Sequence, residues 1–215
     1  MNRIIPSIIS KSSQEFEKMI RIIEPYTDRV HLDVMDGIFV SGKTISYHEE
    51  IAKINTPLDF DVHLMVDDPK KQISFWLQTK ADRFILQIES QSDLSELINL
   101  IHLNNKKAGI ALNPDTSVDA ISKSPVFNSY DFVQFMTVNP GQYGSEFKDE
   151  VISKIESFHN KYPEISIEVD GGVNLQTISK LLAVGVSAFV VGSYIFYSKD
   201  VGKAIEELKK VGQNT

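Results

Sequence analysis

Val30-His31-Leu32-Asp33-Val34-Met35-Asp36-Gly37 is an apolar run interrupted on alternate positions by His31, Asp33 and Met35. Alternation with a period of two is the pattern of a β-strand, so these three side chains share one face. Asp61-Val62-His63-Leu64-Met65 repeats the arrangement, and Ile167-Glu168-Val169-Asp170-Gly171-Gly172 carries a third acidic residue at the end of a strand-like run. Imidazole and carboxylate groups in apolar strands are costly to bury unless they are paired or bound to metal. If His31, Asp33, His63 and Asp170 converge, they make a mixed nitrogen and oxygen site for a divalent cation, and two of these ligands can also work as acid and base. Asp61 reads as a structural hydrogen-bonding residue, and Asp36-Gly37 as a turn.

Outward from these runs the chain alternates strand-like and amphipathic segments to its end. The strand-like runs are Arg3–Ile9, Arg29–Met35, Leu58–Met65, Arg83–Ile88, Ala108–Leu112, Phe132–Val138, Ile165–Asp170 and Ala188–Gly192. Between them, Phe16, Met19, Ile20 and Ile23 have the i, i+3, i+4, i+7 spacing of a helix face, and Ser12 and Glu15 read as a capping box ahead of it. Leu94, Leu97, Ile98 and Ile101 repeat that stripe, as do Val201, Ala204, Ile205 and Leu208. Ile178, Leu181 and Leu182 form another, with Asn174 as its cap and Gly185 as its stop. Strands recurring every roughly 25 residues, eight in all, predict a single-domain (β/α)8 TIM barrel over residues 1–215. No linker composition divides the chain. In such a barrel the chemistry sits at the C-terminal strand ends, where the polar residues named above are expected.

Composition narrows the partners. The 215 residues include 42% hydrophobic and 24% charged side chains, ordinary for a globular protein. There is no cysteine, which removes disulfides, zinc ribbons and thiol nucleophiles. A formal charge of −7 without a basic run argues against nucleic acid or an anionic membrane as partner. Met1–Ser10 is too short for a signal peptide, and no window approaches the length of a membrane span, so a cytoplasmic location is expected.

Glycines supply a second constellation. Asn139-Pro140-Gly141-Gln142-Tyr143-Gly144 follows the sixth run, Gly171-Gly172 the seventh and Gly192-Ser193 the eighth. Barrels commonly bind phosphate on these last loops, against backbone N–H groups and a short helix N-terminus. A phosphorylated substrate is the expectation.

These residues resemble the ribulose-phosphate 3-epimerase family along nearly the whole chain. The matching motifs are Pro6–Ser10, His31–Gly37, Asp61–Met65, Ala111–Pro114, Met136–Gly141, Val169–Asn174 and Val191–Phe196. The resemblance implies a metal-dependent barrel in which His31, Asp33, His63 and Asp170 hold one divalent ion, zinc foremost, with iron, manganese or cobalt as alternatives. It implies Asp33 and Asp170 as the acid/base pair, Ser7 as a substrate contact, Met35, Met65 and Met136 as the cap of the site, and a homo-oligomer. The substrate it implies is a small phosphorylated ketose in pentose phosphate metabolism.

Moving a proton at C3 of such a ketose needs a base on one face and an acid on the other, which two carboxylates on opposite walls provide. Ribulose 5-phosphate is the leading substrate, with another phosphoketose such as allulose 6-phosphate as the alternative. A lyase of a related phosphate-binding barrel would show D-x-K-x-x-D on one strand, whereas Asp33-Val34-Met35-Asp36 lacks the lysine. A non-catalytic phosphosugar-binding protein would have no need of both aspartates and both histidines. The chain departs from the family pattern at Ile38 and Ser41-Gly42, at Gln87 where a histidine is usual, and at Gln142-Tyr143, where a bulky residue replaces glycine and a reshaped loop is expected.

Overall fold

Eight parallel strands close into a barrel in sequence order: β1 (Arg3–Ile8), β2 (Arg29–Met35), β3 (Asp59–Met65), β4 (Arg83–Gln87), β5 (Lys107–Leu112), β6 (Phe132–Met136), β7 (Ser166–Asp170) and β8 (Ala188–Val191), with β1 pairing back onto β8. The computed structural model describes residues 3–45, 47–141 and 144–211, so Gln142 and Tyr143 lie outside the described residues. The helices of the described residues are α1 (Ser13–Ile23), α2 (Tyr47–Lys53), α3 (Pro69–Leu77), α4 (Leu94–Leu103), α5 (Asp119–Lys123), α6 (Glu150–Lys161), α7 (Thr177–Ala183), α8 (Ser193–Phe196) and α9 (Val201–Val211). None of them is long and apolar enough to cross a membrane. Strand ends move by one or two residues from the sequence expectation: Ile9, Leu58, Ile88, Val138, Ile165 and Gly192 fall outside, and Lys107 joins β5.

The helix stripes pack as their spacing predicts. Phe16, Ile20 and Ile23 of α1, Leu94, Leu97, Ile98 and Ile101 of α4, and Ala204, Ile205 and Leu208 of α9 are buried against the outward faces of the strands. Each large apolar side chain removed from water there contributes about 1.5–3 kcal/mol. The Ser12 hydroxyl accepts from Glu15 N at 3.2 Å, but the reciprocal bond runs from Lys11 N to Glu15 Oε2 at 2.9 Å, one residue earlier than a strict capping box. Asn174 Oδ1 accepts from Gln176 N and Thr177 N at 2.8 and 3.1 Å and caps α7.

The barrel lumen divides into two polar layers. The lower one lies toward the N-terminal strand ends and is a lattice of paired charges. Arg29 donates to Asp61 at 2.5 Å and to Asp82 at 2.7 and 2.9 Å, while Arg83 donates to Asp61 at 2.6 Å and to Glu168 at 2.8 Å. The Arg83 guanidinium also lies 4.0 Å over the ring of Phe132. That ring fills the space beside Gly109, where any Cβ would overlap it. Asp61 therefore has the structural role its sequence context suggests, and it sits below the catalytic level. His31 is likewise set low, third in the seven residues of β2 and in register with Asp61 across to β3, so the sequence expectation that all the polar strand residues occupy the C-terminal ends is corrected for these two.

Removing one member of a buried ion-paired set leaves its partners uncompensated, which costs about 3–5 kcal/mol. Asp61→Ala is expected to lower the unfolding free energy by that amount in denaturant titrations, and a loss below about 1 kcal/mol would show the lattice to be dispensable.

Candidate active site

The upper layer is built by strand register. Asp33 pairs with His63 and Met35 with Met65 between β2 and β3, Met136 pairs with Asp170 between β6 and β7, and Ser7 pairs with His31 between β1 and β2. Alternation then turns His31, Asp33 and Asp170 inward together with His63. All four are buried.

Their atoms converge. His31 Nε2 lies 3.5 Å from Asp33 Oδ1 and 3.8 Å from Asp170 Oδ2, and His63 Nδ1 lies 3.4 and 3.5 Å from the same two oxygens. Tetrahedral coordination with bonds of about 2.0–2.2 Å sets ligand atoms roughly 3.3–3.6 Å apart. Both ring nitrogens of His31 and Asp33 Oδ1 are buried without a hydrogen-bond partner, a state that ordinarily costs about 1–3 kcal/mol per group. A divalent cation at the convergence point would satisfy His31 Nε2 and Asp33 Oδ1, so the donor set fits one. His31 also lies within 4.8 Å of Asp61 and Glu168, but Arg29 and Arg83 already supply positive charge to those carboxylates.

The electrostatics separate the two aspartates. Burial would raise Asp33, but contact with His31 and His63 overrides it and holds that carboxylate well below the usual range. Burial and the charge of Asp33 together push Asp170 up. Burial would lower His31, yet Asp33, Asp170 and Glu168 raise it to about 9, and Asp170 and Asp33 raise His63 as well. The two carboxylates and two imidazoles thus form a set that favours positive charge at its centre.

Neighbouring groups hold the aspartates in place. Ser7 Oγ donates to Asp33 Oδ2 at 2.5 Å, leaving Oδ1 for the convergence point. Thr137 N donates to the Asp170 carbonyl at 2.8 Å and its hydroxyl to the Gly171 carbonyl at 2.5 Å, tying the end of β7 to β6. Gly171 and Gly172 take φ of +113° and +62°, and a Cβ on Gly172 would come within 2.8 Å of Phe147 Cβ, so this turn requires glycine.

A cavity at the C-terminal mouth is lined by Asp33 and Asp170 and by nine of the expected substrate residues: Ser7, Met65, Met136, Gly141, Gly144, Gly171, Gly172, Gly192 and Ser193. Met35 lines an adjoining cleft with Ile9 and Gly141 instead, because its sulfur packs on Gly42, where a Cβ would stand 2.7 Å from it. His31 and His63 lie beneath the cavity floor. Gln134 was missed by the sequence reading: it is fully buried, with Nε2 3.3 Å from both Asp170 Oδ2 and His63 Nδ1. Its signal is the one used for the histidines, a polar residue on the inward face of an apolar strand two positions before Met136. The turn expected at Asp36-Gly37 is present, with Asp36 Oδ1 accepting from Ile38 N and Phe39 N and Oδ2 from Asp67 N.

Solved structures share this architecture. The chain superposes on 3-hexulose-6-phosphate synthase from Salmonella typhimurium with a TM-score of 0.71, 14% identity and coverage of 100% of this chain and 99% of that one. A mutant tryptophan synthase α-subunit from Pyrococcus furiosus gives 0.70, with 14% identity and coverage of 98% and 100%. At these identities the likeness concerns the fold. In sequence, the ribulose-phosphate 3-epimerase of Bacillus subtilis (strain 168) is 36% identical over 97% of this chain and 99% of its own length, and that of Schizosaccharomyces pombe is 32% identical over 96% and 92%. The profile of the Ribulose-phosphate 3 epimerase family matches residues 3–196. By that match and by those relatives, this chain belongs to the ribulose-phosphate 3-epimerase family, isomerases that act on carbohydrates.

Proposed function

We propose that this protein interconverts D-ribulose 5-phosphate and D-xylulose 5-phosphate by moving the proton at C3. The observation that carries this reading is the convergence of Asp33 from β2 and Asp170 from β7 on the point faced by both histidines. One carboxylate cannot reach both faces of C3, and two approaching from non-adjacent strands can. Asp33, ionised and oriented by Ser7, takes the proton from one face, and Asp170 delivers one to the other; in the reverse direction the roles exchange. A divalent cation held by His31, Asp33, His63 and Asp170, for which we propose zinc over iron, manganese or cobalt, supplies Lewis-acid stabilisation of the negative charge that develops beside the carbonyl. Met65 and Met136 exclude water above the reacting carbon with soft, polarizable surface, and Met35 closes the adjoining cleft. The phosphate is assigned to Gly172 in the turn after β7 and to Gly192 and Ser193 at the start of α8, with Gly141, Gly144 and Gly171 shaping the same end of the cavity.

Asp33→Asn and Asp170→Asn are each expected to lower kcat by about 10²- to 10⁴-fold without loss of the folded state, since each removes one proton-transfer partner. Substrate C3 should take up deuterium from D2O during turnover. Full activity in either variant, or product free of solvent deuterium, would defeat the mechanism.

Exhaustive treatment with a chelator is expected to abolish turnover, and restoring a divalent ion should recover it and raise Tm, because a ligand that binds only the folded state stabilises it. Undiminished turnover after verified metal removal would overturn the metal assignment. For the substrate, kcat/KM on ribulose 5-phosphate should exceed that on allulose 6-phosphate, and the reverse order would transfer the assignment to the hexulose phosphate.

A further inference from the structure

Gln87 ends β4 on the inward face and is 1% exposed. Its carboxamide meets His63 Nε2 at 2.9 Å through the atom placed as nitrogen, while Gln87 Oε1 is buried with no partner. His63 presents its other nitrogen, Nδ1, to Asp33 Oδ1 and Asp170 Oδ2. A neutral imidazole carries one N–H, so Nδ1 can offer a lone pair to a cation only if the hydrogen is on Nε2. That N–H then needs an acceptor. The oxygen and nitrogen of a carboxamide are told apart by their hydrogen-bond partners, and turning the group by 180° puts Oε1 at the 2.9 Å position, where it can accept from Nε2–H. Gln134 Nε2, with two N–H donors, lies 3.3 Å from both His63 Nδ1 and Asp170 Oδ2.

We propose that Gln87 is a positioning residue for the metal centre: its Oε1 accepts from His63 Nε2–H and so fixes the tautomer and ring orientation that present Nδ1 to the ion. This rests on the reading of His63 as a ligand. The carboxamide does so without adding charge, which leaves the two aspartates as the negative members of the set.

The test measures affinity of the metal-free protein for Zn²⁺ by competition with a chromophoric chelator, in the natural chain, Gln87→Leu, Gln87→Glu and His63→Ala, together with ¹⁵N NMR of the His63 ring in the Zn²⁺-loaded natural chain. Gln87→Leu removes the acceptor and is expected to weaken Zn²⁺ binding about 10- to 100-fold. Gln87→Glu keeps an acceptor and should bind at least as tightly as the natural chain. The NMR spectrum should place the His63 hydrogen on Nε2. A hydrogen on Nδ1 in the loaded protein, or unchanged affinity in a folded Gln87→Leu, overturns the proposal. If His63→Ala loses the ion while Gln87→Leu keeps it, only the role of Gln87 fails. If His63→Ala binds Zn²⁺ as tightly as the natural chain, the reading of His63 as a ligand fails and takes this inference with it.

Discussion

Charge buried along the barrel axis is the constraint to which the other features answer. An isolated ionised group in a protein interior is prohibitively unstable, and the lumen of this barrel contains many. The lower layer resolves the problem internally, with Arg29 and Arg83 shared among Asp61, Asp82 and Glu168. The upper layer does not. Two aspartates and two histidines face one another there with a donor set that calls for a cation. Ion pairs close most of the lower layer, whereas the converging donors of the upper layer have no cationic side chain between them.

Strand register converts this constraint into geometry. Pairing Asp33 with His63 and Met136 with Asp170 sets the height of the two aspartates, and the pleat selects which side chains enter the lumen. Ser7 and Thr137 then remove residual freedom, the first by holding one oxygen of Asp33 and the second by pinning the backbone at Asp170. Each works from the strand beside the one it supports, so the site inherits the stiffness of the sheet.

Much of this was legible in the sequence because two signals coincide. The alternation around His31, His63 and Asp170 marks strand faces, and the stripes such as Leu94, Leu97, Ile98 and Ile101 mark the covering helices. The height of a group along the axis follows its place in the strand: His31 and Asp61 are the third residues of β2 and β3 and lie below Asp33 and His63, two residues further on. Gln134 escaped because an uncharged amide in a strand attracts less notice than an imidazole, although it meets the same alternation rule. The diversion of Met35 to the adjoining cleft follows from Gly42 approaching its sulfur, a contact between distant loop segments that no local pattern records.

His31 belongs to both layers, with Asp33 and Asp170 above it and Asp61 and Glu168 within 4.8 Å below. Elsewhere the two layers are built from different residues. At His31 they meet. Asp33 and Asp170 answer to the upper set alone, whereas the imidazole at this junction has two sets of neighbours to satisfy, so a change there disturbs both layers at once.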